Sequence, residues 1–193
     1  MATLVALVAA GLAVQALPGA GFDRQPRIRA YRAKADAFVS EANRRTTFGR
    51  ARVLRVDAAP AIHTYIRFNV DLHSVEVRHV SLLLWSRTRL RRGYQVRLAE
   101  GPWSERGITF ANAPMLSPEF IASGRVRARA WKAVDVTSLI TGGEQSLSLV
   151  LNTTSVNGAE FASRESGFHG PRLVVETVPP ETTASTSTSS EGN

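Results

Sequence analysis

His63-Thr64-Tyr65-Ile66-Arg67-Phe68-Asn69-Val70 (HTYIRFNV) alternates along its length, with Ile66, Phe68 and Val70 on one side of an extended chain. A period of two places successive side chains on opposite faces of a strand, so this stretch reads as a half-buried β-strand. Ser146–Asn152 (SLSLVLN) repeats the pattern and groups Leu147, Leu149 and Leu151. Val77–Trp85 is richer in apolar residues, which predicts a central strand. Tyr94–Leu98, Trp131–Val136, Ala159–Ser163 and Arg172–Val178 complete the set. Arg92-Gly93, Gly101-Pro102, Ser123-Gly124, Gly142-Gly143, Asn157-Gly158 and Gly170-Pro171 punctuate them as turns. About nine or ten short strands and no long amphipathic helix predict an all-β fold, an antiparallel two-sheet β-sandwich that is jelly-roll-like. Val136–Ile140, just before Gly142, reads as one helical turn.

The rest of the chain sets bounds on chemistry. Its 193 residues carry 24 Lys+Arg against 16 Asp+Glu, a net charge of +8, and 44% of them are hydrophobic. That length accommodates one domain with appendages, and that composition supports a packed core. The basic residues are almost all Arg: Lys34 and Lys132 are the only lysines. Cysteine is absent, which excludes a disulfide scaffold, a Cys-type zinc site and a thiol nucleophile. The basic excess points to polyanionic partners without choosing among nucleic acid, anionic lipid and acidic polysaccharide.

The ends differ from the middle. Ala2–Val14 is apolar and leads into Gln15-Ala16-Leu17-Pro18-Gly19-Ala20, so residues 1–20 read as a signal peptide, with an uncleaved N-terminal anchor as the alternative. After cleavage no membrane span is expected, and the domain is expected outside the cell. Residues 21–34 read as a basic, Pro-interrupted linker, 35–178 as the folded domain, and the Ser/Thr-rich 179–193 as a tail.

Within the domain, a series of short segments carries a family resemblance. They are Ala35-Asp36-Ala37-Phe38-Val39, Thr46-Thr47-Phe48-Gly49, Leu54-Arg55-Val56 and Tyr65-Ile66-Arg67-Phe68. Val80–Trp85, Trp103-Ser104-Glu105, Gly107-Ile108-Thr109-Phe110 and Ala113-Pro114 follow. Trp131–Thr137, Phe161-Ala162-Ser163-Arg164-Glu165 and Pro171–Val175 close the set. In order and spacing, from about residue 35 to 177, the chain resembles the DNRLRE domains, also classed as carbohydrate-binding module family 96. The resemblance implies an extracellular bacterial or archaeal β-sandwich, often appended to polysaccharide-degrading enzymes or surface proteins. The best-understood members bind acidic polysaccharides such as alginate. Two departures bear on specificity. Asn69 stands where Asp is usual, and the hairpin 86–93, usually Ser/Gly-rich, reads Arg87-Thr88-Arg89-Leu90-Arg91-Arg92.

Candidate ligand-binding residues follow from charge. Arg44, Arg45, Arg50, Arg52 and Arg55 cluster in sequence, and Arg55 should face outward from its strand. Arg125, Arg127 and Arg129 alternate with Val126 and Ala128, so on a strand they would form one stripe. A planar guanidinium pairs bidentately with a carboxylate, which suits uronate units repeated along a chain. The hairpin arginines 87, 89, 91 and 92 are a third basic group, with solubility as the competing reading. Arg67, Arg164, Glu165 and Asp36 are expected in structural ion pairs. If 159–165 is a strand, Glu165 turns inward and alternation offers Arg67 as its partner. Asp36 has a second reading, as a ligand of a structural calcium of the kind jelly-roll modules often carry; no dense Asp/Asn loop supports it, so the metal is left open and no other cofactor is implied. Trp85, Trp103 and Trp131 are expected in the core, while Tyr94 and Phe48 are the more exposed stacking candidates.

Catalysis has no anchor in the sequence. There is no His-Glu-x-x-His, no Gly-x-Ser-x-Gly and no phosphate-cradling loop. His63, His73, His79 and His169 are scattered, and Glu100 and Glu105 around Trp103 are the one carboxylate pair worth inspecting. The reading is a secreted, monomeric, non-catalytic module for an acidic polysaccharide, not for nucleic acid. The alternative is a structural or adhesive domain of the cell envelope.

Overall fold

The computed structural model describes residues 25–73 and 75–178, so the segments expected as signal peptide and tail lie outside the described residues. Twelve strands run in chain order: β1 (Arg27–Arg32), β2 (Ala35–Ser40), β3 (Val53–Ala58), β4 (Ala61–Asn69), β5 (Glu76–Ser86) and β6 (Gln95–Glu100) come first. They are followed by β7 (Met115–Leu116), β8 (Ile121–Ala122), β9 (Ala130–Asp135), β10 (Ser146–Asn152), β11 (Ala159–Ala162) and β12 (Arg172–Val178). Single 3-10 turns occupy Glu41–Asn43 and Thr137–Leu139, the latter inside the helical turn expected before Gly142. A kinked pair of 3-10 turns covers Arg164–His169.

All the pairings are antiparallel, as an all-β fold of short strands requires. Hydrogen bonding follows one path, β1-β12-β5-β11-β3-β4-β10-β6-β7, with β2 on β4, β8 on β6 and β9 on β5. The two sheets expected from the sequence are thus two arms of one continuous sheet, joined through β3. Residues 53–56 of β3 pair with β11, and its last two residues pair with β4.

Alternation decides what the arms bury. From β5, Val80, Leu82 and Leu84 point inward; from β12, Leu173 and Val175; from β4, Ile66 and Phe68; from β10, Leu147, Leu149 and Leu151. These residues of both arms form one apolar cluster, so the arms pack over each other across a shared core. Each such side chain contributes roughly 1.5–3 kcal/mol on burial. The opposite face of β4 is covered too. Tyr65, with Ala35, Ala37 and Val39 of β2 and Val150 of β10, packs under Trp103 and Ile108 of the segment 101–114. Tyr65 Oη donates to the Pro114 carbonyl at 2.7 Å, and Trp103 Nε1 donates to Ser148 Oγ at 3.2 Å, so this segment is fastened by polar as well as apolar contacts.

One boundary is corrected. Arg27–Arg32, read as part of a linker, is strand β1, paired residue for residue with β12 from Arg27↔Thr177 to Arg32↔Arg172. Five of its six side chains are exposed, so the pairing rests on backbone hydrogen bonds and leaves no apolar periodicity to read.

Close backbone approach fixes the loop between β2 and β3. A Cβ on the buried Gly49 would lie 1.8 Å from the Glu105 carbonyl oxygen, so the loop sits directly against the covering segment. Gly49→Ala should therefore lower unfolding free energy by about 1–3 kcal/mol in urea titrations. An unchanged midpoint would show that the two loops are not held together.

Candidate functional site

The arginines grouped by sequence disperse in space. Arg44 lies over Phe110 at 5.1 Å, and Arg45 is exposed beside it in the chain. Arg50 borders a shallow hollow with Thr47, Gly49 and Arg106. Arg55 faces outward from β3 as expected, but its Nη2 donates to Glu160 Oε1 at 2.8 Å across the β3–β11 ladder, and its guanidinium lies 5.9 Å from the Phe38 ring. Arg55 thus already has a protein partner. Arg52 alone of the five lines a cleft that also holds aromatic rings, described below.

The stripe expected from Arg125, Arg127 and Arg129 does not form. These residues are not on a strand: the backbone turns at Gly124 (φ 66°) and Arg129 (φ 53°), and the one pairing between them is the bridge Leu90↔Val126. That bridge does something the sequence did not show. Leu90 and Val126 are buried, so Arg89 and Arg91 on one segment and Arg125 and Arg127 on the other flank it as exposed residues. Two basic groups far apart in sequence meet here. Arg89, Arg91 and Arg92 also wall a groove of about 610 Å3 that is completed by Thr154–Asn157. No carboxylate among the described residues lies within ion-pair distance of these arginines.

The aromatic expectations are corrected in two directions. Tyr94 is buried, edge-on to Phe161 with ring centroids 5.1 Å apart, because it shares the inward face with Val96. Phe48 is half-buried and stacks on Phe38 at 4.2 Å. Trp103 is buried as expected, in the second cluster. Trp85 and Trp131, expected in the core, lie outside both clusters and are partly exposed. With Val80, Leu82 and Leu84 inward, alternation turns Trp85 outward, and Trp131 is its direct cross-strand partner on β9.

Together they make an aromatic platform on the outer face of the β5–β9 pair. The two indoles meet edge to face, with centroids 5.7 Å apart at 73°. The His169 ring lies 4.2 Å from Trp85 at 35°, and Phe168 beside it is 66% exposed. Arg172 is wedged between rings, 5.1 Å from Trp131 and 4.7 Å from Phe168, and its Nη2 donates to the Phe168 carbonyl at 2.7 Å. Next to the platform, Trp85, Arg52, Arg87, Ala162, Ser166 and His169 line a cleft of about 240 Å3. Ser166 Oγ donates to the Arg52 carbonyl at 2.8 Å, which ties the cleft wall to the 3-10 turns that carry His169. Flat rings beside the exposed guanidinium groups of Arg52 and Arg87 offer an apolar face and an anion partner in one place.

The expected ion-pair residues form a knot, with one partner changed. Glu165 does not meet Arg67, because β11 ends at Ala162 and Glu165 lies in the 3-10 turns; it pairs with Arg164 at 2.9 Å. Arg67 donates instead to the Trp103 carbonyl at 2.7 Å, with its guanidinium 5.1 Å from the Trp103 ring. Arg164 Nη2 grips both oxygens of Glu105 at 3.0 and 2.9 Å. Asp36, only 1% exposed, accepts the Arg164 backbone N–H at 2.6 Å, while its own N–H donates to Glu105 Oε1 at 3.0 Å. Burial pushes the Asp36 carboxyl up to about 7; Glu165 and Glu105 reinforce the shift, and the Arg164 N–H and guanidinium oppose it. Glu105 accepts from the Asp36 N–H and from the Arg164 guanidinium, contacts that tie β2 to the turns at Arg164–His169. Sequence reasoning had singled out Asp36, Arg164 and Glu165, but it missed Glu105 as their centre.

No helix among the described residues is long and apolar enough to cross a membrane. No curated protein matches the chain. The family model of carbohydrate-binding module family 96 does match, over residues 28–177, a span that takes in all but the first residue of β1 and reaches into β12. The all-β architecture and the match across most of its length agree, and the chain belongs to carbohydrate-binding module family 96.

Proposed function

We propose that this module binds an acidic polysaccharide in the cleft beside Trp85 and Trp131, with Arg52 and Arg87 receiving uronate carboxylates, and that it does so without catalysing a reaction on the chain. The observation that carries this reading is the cleft in which Trp85, edge to face with Trp131, meets the exposed Arg52 and Arg87. The apolar face of a pyranose ring packs on an indole, a contact comparable to an aromatic pair at about 0.5–1.5 kcal/mol. Each exposed arginine–carboxylate pair adds only about 0.2–1 kcal/mol. Neither suffices alone, so the ring face positions the sugar and the guanidinium groups select acidic over neutral residues. Arg172, already held by Phe168 and the rings, supports the platform. Binding outside the cell is part of this proposal, and its support is the apolar run Ala2–Val14.

Affinity electrophoresis against alginate, pectate and a neutral glucan tests it. The acidic polymers should retard the protein and the neutral one should not. Retardation should fade toward 1 M NaCl as the screening length falls to about 3 Å. No retardation by any acidic polymer at low salt would sink the reading and leave the envelope-spacer alternative.

Substitutions address the site itself. Arg52→Glu with Arg87→Glu should weaken binding by about 2- to 30-fold, the loss of two exposed pairs, with an unchanged melting temperature. Trp85→Ala should weaken it for every acidic polymer alike. If instead Arg89→Glu with Arg91→Glu abolishes retardation while the cleft variants bind normally, the site is the groove beside Leu90.

A further inference from the structure

The knot around Arg164 has more acid than base. Asp36, Glu105 and Glu165 each bring a carboxylate oxygen to within 4.8 Å of the others. Three carboxyl groups face one guanidinium, and among the described residues no second cation lies within ion-pair distance of them. Arg164 occupies both oxygens of Glu105 and Oε1 of Glu165, and its backbone N–H occupies Asp36 Oδ2. Two oxygens are left over: Asp36 Oδ1 and Glu165 Oε2 are buried without any hydrogen-bond partner. This is no exposed acidic patch. Asp36 is 1% exposed, its unpartnered oxygen is shut off from solvent, and Ser163, 0% exposed, adds an unpartnered hydroxyl on the residue next to Arg164. A buried anionic oxygen without a partner is among the costliest features a folded chain carries.

We propose that Asp36, Glu105 and Glu165 bind a hard divalent cation, calcium foremost. Fully ionised, the three carboxylates would exceed the Arg164 charge by two, the charge of such an ion, and two unpartnered oxygens give it direct ligands. A single proton would cancel only one charge. The donors are all oxygen, which favours calcium or magnesium over softer metals. Calcium takes six to eight oxygens in flexible geometry, and water completes such a shell where protein ligands run out. The three ligands come from β2, the segment 101–114 and the turns after β11, so the ion joins parts of the chain that no local contact connects.

Chelator-treated protein at pH 8 and constant ionic strength tests this by calorimetric titration with CaCl2 and by thermal unfolding. A saturable binding heat is expected, along with a rise in melting temperature of about 5–10 °C at 100-fold over the Kd, reversed by EDTA. Asp36→Asn keeps an oxygen for the Arg164 N–H but removes the charge. It should lose at least 10-fold in calcium affinity while melting no lower than wild type in EDTA. Glu165→Gln serves the same purpose if that variant does not fold. No binding heat and no thermal shift with calcium, magnesium or manganese would overturn the proposal, as would wild-type calcium affinity in a folded Asp36→Asn or Glu165→Gln protein.

Discussion

Arg164, through its backbone N–H and its guanidinium, holds three carboxylates that lie far apart in the chain. It reaches Asp36 on β2, Glu105 in the segment over the second apolar cluster, and Glu165 beside it. Much of the rest hangs on this. Glu105 held in place keeps Trp103 and Ile108 over Tyr65 and Val150, which closes the outer face of β4. The same hold fixes the start of the 3-10 turns at Arg164–His169, and those turns deliver Phe168 and His169 to the tryptophan pair. A polar knot at one place therefore shapes an aromatic surface at another.

The sheet contributes through parity. On β5, the same alternation that sends Val80, Leu82 and Leu84 into the core puts Trp85 on the far side, and register with β9 sets Trp131 opposite it. A shift of one residue would exchange core and platform together. The aromatic platform and the core are two readings of one register, so a register shift cannot move one and keep the other.

The strands were legible where alternation is strong. Ser146–Asn152 is β10 in full, and His63–Val70 overlaps all but the start of β4. Legibility failed for three physical reasons. Strand β1 is held by backbone pairing and shows exposed side chains, so it carries no apolar signal. Arg125, Arg127 and Arg129 alternate in sequence, yet the left-handed backbone at Gly124 and Arg129 prevents an extended run; charge spacing does not report φ. For Trp85, Trp131 and Tyr94, size and hydropathy favour burial or exposure only on average, and register with neighbouring strands decides the face. The knot was half legible. Asp36, Arg164 and Glu165 could be flagged as charges in strand-rich sequence, but Glu105 joins them only through the path of a loop.

Strand β1 also has a bearing on how copies of the module behave at high density. Among the described residues it ends the strand order, with β12 on one side, and Arg27, Arg29 and Arg32 are spread along it. An unpaired strand margin invites another sheet to add to it, and like charges set opposite each other oppose that addition. Copies crowded together would repel at these margins. Part of the basic excess thus sits where like charges oppose edge-to-edge aggregation of copies.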